Sequence, residues 1–185
     1  MPKIKEVDAF RFAKYSASAG KVDSATLSAA DNLPVLIQTA AAEMDDKEVP
    51  YEGRILFVNP FVYAYIKEDI TRFIGNGEGN VNNEIEMFDN MRVIRVPSTR
   101  FNTGVTLENP TDATQMGGYT LAGDDINFMI VHPSAVIQVI KHQIPRLFSP
   151  EVNQEADAWK LNYRIVHDAW VLDNKHDGIY LHKKA

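Results

Sequence analysis

Apolar side chains recur at spacings of three and four between residues 33 and 44 of this 185-residue chain. Leu33, Leu36, Ile37, Ala40, Ala41 and Met44 form one stripe, which predicts an amphipathic helix over NLPVLIQTAAAEMDD. Asp31 or Asn32 stands at the cap position, Pro34 sits where a missing N–H costs nothing, and Pro50 lies beyond the end. The short apolar run GRILFVNP then predicts a buried strand, and Pro60 opens a second helix, PFVYAYIKEDI. In MRVIRVP, Val93 and Ile94 flanked by Arg92 and Arg95 predict a strand that Pro97 ends. INFMIVHP predicts another strand, followed by a helix in PSAVIQVIKHQ with Val136, Val139 and Ile140 facing inward. Near the close, Leu161, Tyr163 and Ile165 alternate with Asn162 and Arg164, DNKHDG turns the chain, and IYLH returns, which predicts a terminal β-hairpin.

Two stretches resist this patterning. GNGEGNVNN, Gly75 to Asn83, reads as a flexible surface loop. Ser98 to Gly123 has no sustained period, and so long an unpatterned stretch is expected to be either mobile or ordered by a partner.

Composition narrows the class. With 45% hydrophobic and 24% charged residues the chain reads as an ordinary soluble globular protein. Folding at this length removes roughly 70% of the unfolded surface from water, so no staple is needed. Cysteine is absent, which excludes disulfides, thiolate metal sites and cysteine nucleophiles and fits a reducing compartment. The opening MPKIKEVDAF is too polar for the apolar core of a secretion signal, and no run approaches the ~20 apolar residues of a membrane helix. A net charge of -6, with no block of like charges, argues against a phosphate-backbone footprint.

Candidate chemistry is sparse. His167 beside Asp168 would lie on a strand, where neighbours point to opposite faces and form no dyad. His176 and Asp177 fall in the turn, where Asp, Asn and Gly serve backbone geometry. GNGEGN lacks the glycine spacing of a dinucleotide loop and the Lys-Ser/Thr of a phosphate loop. Ser134 in HPSAV has no glycine neighbour, as a nucleophile elbow would require. Asp45 with Asp46 and Asp124 with Asp125 read as solvated charges, and His132 and His142 are not at a zinc spacing. No cofactor and no metal are expected. Phe57, Phe61, Tyr63, Tyr65, Trp159 and Trp170 are expected to fill core or interface.

The order of segments, above all FVNPFVYAYI and RIVHDAWVLDNKHDGIY, resembles the major capsid protein of tailed bacteriophages and prophages. The likeness runs over most of the chain, through NLPVLIQTAAAEMDD, GRILFVNP, NMRVIRVPSTRF and NFMIVHPSAVIQVIKHQIPRLFSP. It implies an α+β, tailed-phage capsid fold: an axial domain with a central sheet flanked by helices, plus part of a peripheral domain with a long β-hairpin. Residues 1–26 would be a peripheral remnant and linker, 27–143 the axial domain, and 144–185 the peripheral strands and hairpin. Either the Gly75 to Asn83 loop or the Ser98 to Gly123 stretch would face neighbours near the capsomer axis. Family members carry, upstream of the segment matched by VDAFRFAKYSASAG, an N-terminal arm, an extended loop and a spine helix, and no counterpart is read in this sequence.

The resemblance implies a structural protein and not an enzyme: a subunit that assembles with copies of itself into pentamers and hexamers of an icosahedral head enclosing DNA. Its expected place is the virion, after assembly in the bacterial host cytoplasm. Scaffolding and portal proteins would be further partners, with no sequence-specific nucleic acid and no membrane. Arg100, Phe101 and Tyr119 are the expected interface residues, because exposed Arg and aromatic side chains dominate hot spots. Two other readings stand beside it. One is the shell of a bacterial nanocompartment of the same fold. The other is a small α+β hydrolase using Ser134, His132 and an acidic partner such as Asp125.

Overall fold

The computed structural model describes residues 2–73, 85–108 and 118–185. The apolar run Ile126 to Val131 lies at its centre, in β6 (Gly118–Val131). Successive strand residues point to opposite faces, so a strand covered on both sides is apolar except where a polar side chain finds partners, as Asn127 does with the Ala25 carbonyl at 2.9 Å and His182 Nδ1 at 3.1 Å. Phe128 and Ile130 enter one core, while Ile126, Met129 and Val131 enter the other. A register shift between Ile126 and Phe128 is what puts Ile126 on the face of Met129.

β6 pairs antiparallel with β2 (Ile55–Val58) on one side and with β9 (Ile179–Lys183) on the other. Beyond β2 come β4 (Met91–Arg95), parallel to it, and β3 (Met87–Phe88), which folds back on β4 through Asp89 and Asn90, both with positive φ. Beyond β9 lies β1 (Lys21–Ser24), again parallel. The order is therefore β1-β9-β6-β2-β4-β3, with β5 (Asn102–Glu108) pairing the outer half of β6.

Helices cover both faces. α2 (Leu33–Asp46) buries Leu33, Ile37, Ala40, Ala41 and Met44, and with α3 (Pro60–Phe73) it packs on Leu56, Val58, Phe128, Ile130 and Tyr180. α1 (Pro2–Ala17) covers the opposite face. Its Phe12 lies edge-on to Phe57 at 5.2 Å and to Phe101 at 4.9 Å. Charged residues break the apolar stripe of α1, which is why the sequence pattern assigns no helix there; burial of Val7, Phe12 and Tyr15 supplies the stabilisation.

β7 (Val136–Phe148) and β8 (Lys160–Val171) form a separate antiparallel ribbon, paired from Val136–Val171 out to Phe148–Lys160. This corrects two expectations. PSAVIQVIKHQ is not a helix: only Pro133–Ala135 make a 3₁₀ turn, and the rest is strand, because its β-branched residues gain a full ladder against β8. IYLH does not return on the preceding strand either. DNKHDG forms a 3₁₀ turn, Asp173–Gly178, that carries β9 away from the ribbon into the large sheet.

Ser98 to Gly123 is also patterned where described. A 3₁₀ turn at Ser98–Arg100 leads into β5, and Gly118 to Gly123 belong to β6; residues 109–117 lie outside the described residues, as does the Gly75 to Asn83 loop. Neither Asp31 nor Asn32 caps α2 by its side chain: Asp31 instead accepts from the Ser28 N–H at 2.7 Å and hydroxyl at 2.9 Å. The 143/144 boundary falls inside β7, and β9 sits within the large sheet rather than with the ribbon.

Candidate functional site

The strongest catalytic candidate forms half of a relay. His132 ends β6, and its Nδ1 accepts from the Ser134 backbone N–H at 3.3 Å while the Ser134 hydroxyl lies 2.7 Å away. His132 Nε2 is 3.2 Å from the Glu52 carbonyl, which can only accept, so Nε2 carries the proton and Nδ1 accepts from the hydroxyl. This geometry caps the 3₁₀ turn. Asp125 is seven residues back along the same strand, roughly 20 Å at the rise of a β-strand. There its carboxylate accepts from the Asn102 amide at 3.1 Å. The three residues of the hydrolase reading are not brought together.

His167 and Asp168 part as a strand requires. His167 meets Phe10 edge-on at 5.4 Å, whereas the Asp168 carboxylate accepts from the Ala169 N–H at 2.8 Å. Burial, reinforced by the Arg11 charge, holds the His167 pKa below the ordinary histidine value. His176 bonds through Nδ1 to the Ser18 carbonyl at 2.7 Å, just past α1, and Asp177 pairs with Lys47 at 3.7 Å, just past α2, so this turn meets the ends of both helices.

The carboxylate pairs already have protein partners. Asp45 takes Arg54 at 2.5 Å, Asp124 takes Lys183 at 2.7 Å, and Asp46 points to solvent. His142 lies apart from His132, out on β7. Among the described residues no group of three or more His, Asp or Glu is gathered for a metal ion.

The expected interface residues separate. Arg100 bonds the Asp8 carboxylate at 2.9 Å, and the Tyr119 hydroxyl donates to the Thr99 carbonyl at 2.9 Å. Phe101 is 0% exposed, enclosed with Phe12, Ile126 and Met129. It is a core residue of this chain with no surface left for a neighbour, a correction to its place in the trio.

The exposed apolar surface lies instead on the ribbon. Leu147 and Leu161 face each other across it at 65% and 66% exposure, and Trp159 at its far end is 66% exposed. Tyr163 shares their face, while Ile137, Val139, Val166 and Trp170 lie exposed on the other. Among the described residues only the base is covered, where the Gln138 amide donates to the Tyr15 hydroxyl oxygen of α1 at 2.6 Å and Phe10 meets His167. The ribbon is a sheet of its own, so both of its strands have an outer edge unpaired among the described residues, and unpaired strand edges template pairing with another chain. Sequence reasoning missed Val139 and Ile140 as surface residues because it placed them on the inner face of a helix. Their β-branching was the available signal. Of the aromatics, Tyr63 is buried, while Phe61, Trp159 and Trp170 are largely exposed.

Comparison with solved structures shows the fold. The chain matches a chain of the bacteriophage PhiM1 mature capsid with a TM-score of 0.67 at 15% identity, over 98% of its own length and 61% of that chain. A chain of Mycobacterium phage Che8 matches with a TM-score of 0.61 at 16% identity, over 96% and 58% respectively. A chain of the virus-like particle from Pyrococcus furiosus matches with a TM-score of 0.52 at 13% identity, over 97% and 61%. The fold is thus that of phage capsid chains, and the chain spans about three fifths of their length. No protein-family model matches the sequence, and no curated protein does.

Proposed function

We propose that this chain is the structural subunit of a self-assembling shell of the phage-head type, part of a virion, with copies of itself as its principal partner. The observation that carries this reading is a fold shared with capsid chains over nearly the whole length of the protein. The ribbon supports it independently. A monomer gains nothing from a two-stranded sheet with apolar residues on both faces and two open edges, whereas a shell subunit uses such a surface at every heterologous contact.

In this reading the large sheet with α2 and α3 is the axial body, and the ribbon with α1 is the peripheral arm. Arg100 and Tyr119, both on the β5 side of the body, are interface residues, and scaffolding and portal proteins are further partners in the host cytoplasm. The role in this reading is structural and not catalytic, which is supported by the Ser134–His132 pair serving a turn while Asp125 is engaged by Asn102. Its net charge of -6 suits a wall that encloses DNA without trapping it. Electron microscopy of the protein expressed as it is encoded tests the assignment. Closed shells or capsomer rings are expected, and a monodisperse monomer at every concentration overturns self-assembly.

The likeness to the Pyrococcus furiosus particle favours a second reading, a nanocompartment shell around protein cargo. Absorbance of purified particles separates the two. A nucleic-acid spectrum supports the head, and a protein spectrum with a co-purifying cargo supports the compartment.

A further inference from the structure

Between α1, β2, β4 and the base of β7 lies a half-open cavity of about 220 Å³. Phe12, Phe57, Ile94 and Val96 give it apolar walls, and Asp8, Arg11, Tyr15, Arg100 and Gln138 give it a polar rim. Two guanidinium groups face one carboxylate here, and that carboxylate is committed. Arg100 donates to Asp8 at 2.9 Å, while Arg11 is held by the same residue only at 3.8 Å. The guanidinium of the third arginine in the wall, Arg95, is drawn off over the Tyr63 ring, 4.8 Å from its centroid.

One weakly held charge and one donor are left over. Arg11 Nε is buried without a partner among the described residues and is closed to a ligand, so what Arg11 brings to the cavity wall is the charge of its guanidinium, whose Nη1 lies 3.8 Å from Asp8. The Tyr15 hydroxyl oxygen accepts from the Gln138 amide at 2.6 Å, and its own proton meets no acceptor among the described residues. These residues are four apart on one helix and therefore lie on one face of α1. Burial raises the Tyr15 pKa, so the hydroxyl keeps the proton it has to donate. A guanidinium held only at 3.8 Å by a carboxylate that Arg100 already engages, a hydroxyl donor on the same helix face and apolar walls call for an anion with two acceptor oxygens on a small apolar body.

We infer that this cavity binds a carboxylate on a short apolar stem, gripped by Arg11 and the Tyr15 hydroxyl and balanced against Asp8 by Arg100. The same chemistry is carried by a small organic acid and by the Glu or Asp side chain of a second copy of this chain. The inference concerns the cavity itself and does not require that the chain build a shell.

Titration calorimetry of the full chain with N-acetylglutamate and with its neutral isostere N-acetylglutamine tests it. Saturable binding of the acid, at least tenfold tighter than the amide, is expected. Arg11→Met removes the spare cation and leaves the Arg100–Asp8 pair intact, so it is expected to lose tenfold or more. Arg11→Lys, which keeps the charge but not the planar fork of donors, should fall between the two. Equal binding of acid and amide, no heat for either, or unchanged affinity in Arg11→Met overturns the site. If Arg11→Met does not fold, the acid-amide comparison on the wild type decides alone. Repeating sedimentation at saturating N-acetylglutamate then identifies the source. Loss of self-association assigns the carboxylate to a second copy, and unchanged association assigns it to a free acid.

Discussion

The guanidinium of Arg54 donates to the Asp45 carboxylate across 2.5 Å and is itself 2% exposed. The same group donates to the carbonyls of Pro50 at 2.9 Å, Ala41 at 3.1 Å and Val49 at 2.6 Å. One side chain thereby satisfies the Val49 and Pro50 carbonyls in the loop after α2, adds a bond to the Ala41 carbonyl within the helix, and ties the end of α2 to the start of β2.

Replacing Arg54 strands those acceptors. Arg54→Met is expected to destabilise the fold by about 3 kcal/mol, as for removal of one member of a buried charged network. Asp45 is largely exposed, so Asp45→Asn should lose less than about 1 kcal/mol. Urea midpoints of both variants check this, and equal losses would contradict it.

Phe101 predicts a monomer defect and not an assembly defect. Truncating a fully buried aromatic leaves a cavity, so Phe101→Ala should lose about 3–5 kcal/mol of stability. Tyr119→Phe removes only a surface hydrogen bond and should change stability by less than about 1 kcal/mol. Thermal melts of the unassembled protein distinguish them.

The ribbon predicts the converse. Leu147→Lys with Leu161→Lys puts charge on a surface that is already in water, so the melting temperature should hold within the range of a surface change, about 0.5 kcal/mol for each site. Electron microscopy of the same preparation should show shells or rings lost. Intact shells would remove this face from the assembly contacts.

Acid sensitivity should come from two histidines before any carboxylate. Burial lowers the pKa of His182 in the large sheet, partly opposed by Asp23, and burial followed by the Arg11 charge lowers that of His167, opposed by Glu6 and Asp168. Both then bind fewer protons folded than unfolded. Their stabilisation is complete above the unfolded value of 6.5 and is lost as pH falls below it toward the folded value. Protonating His182 Nδ1 also sets it against the Asn127 amide donor 3.1 Å away. Asp31, whose pKa is lowered by the Ser28 hydrogen bonds, follows only below its ordinary value of 3.8. Urea midpoints should therefore be flat from pH 8 to about 7 and fall toward pH 5. The fall should be shallower in His182→Gln, and an unchanged slope in that variant would clear His182 of the effect.

Much of the fold was legible before any coordinates. The α2 stripe, Pro60 at the head of α3, and the apolar runs that became β2 and β6 are local patterns, and each element forms where its period or punctuation placed it. The candidate surface was less legible. Ser134 beside His132 is a two-residue spacing visible in sequence, but the distance to Asp125 follows from strand geometry. Phe101 and Tyr119 look alike as exposed aromatics until one is found in the core and the other at a carbonyl.

What the chain alone determined is the set of elements whose burial is encoded in their own period: two amphipathic helices and the strands that are apolar on both sides. Tertiary structure decided the rest. Val136, Val139 and Ile140 fit a helical spacing, and it is the ladder with β8, more than twenty residues on, that makes them a strand in which Val139 faces away from the other two. The path of β9, the helix at Pro2–Ala17 and the cavity between Arg11 and Tyr15 depend likewise on partners distant in sequence. Their free energy comes from contacts that no local window contains.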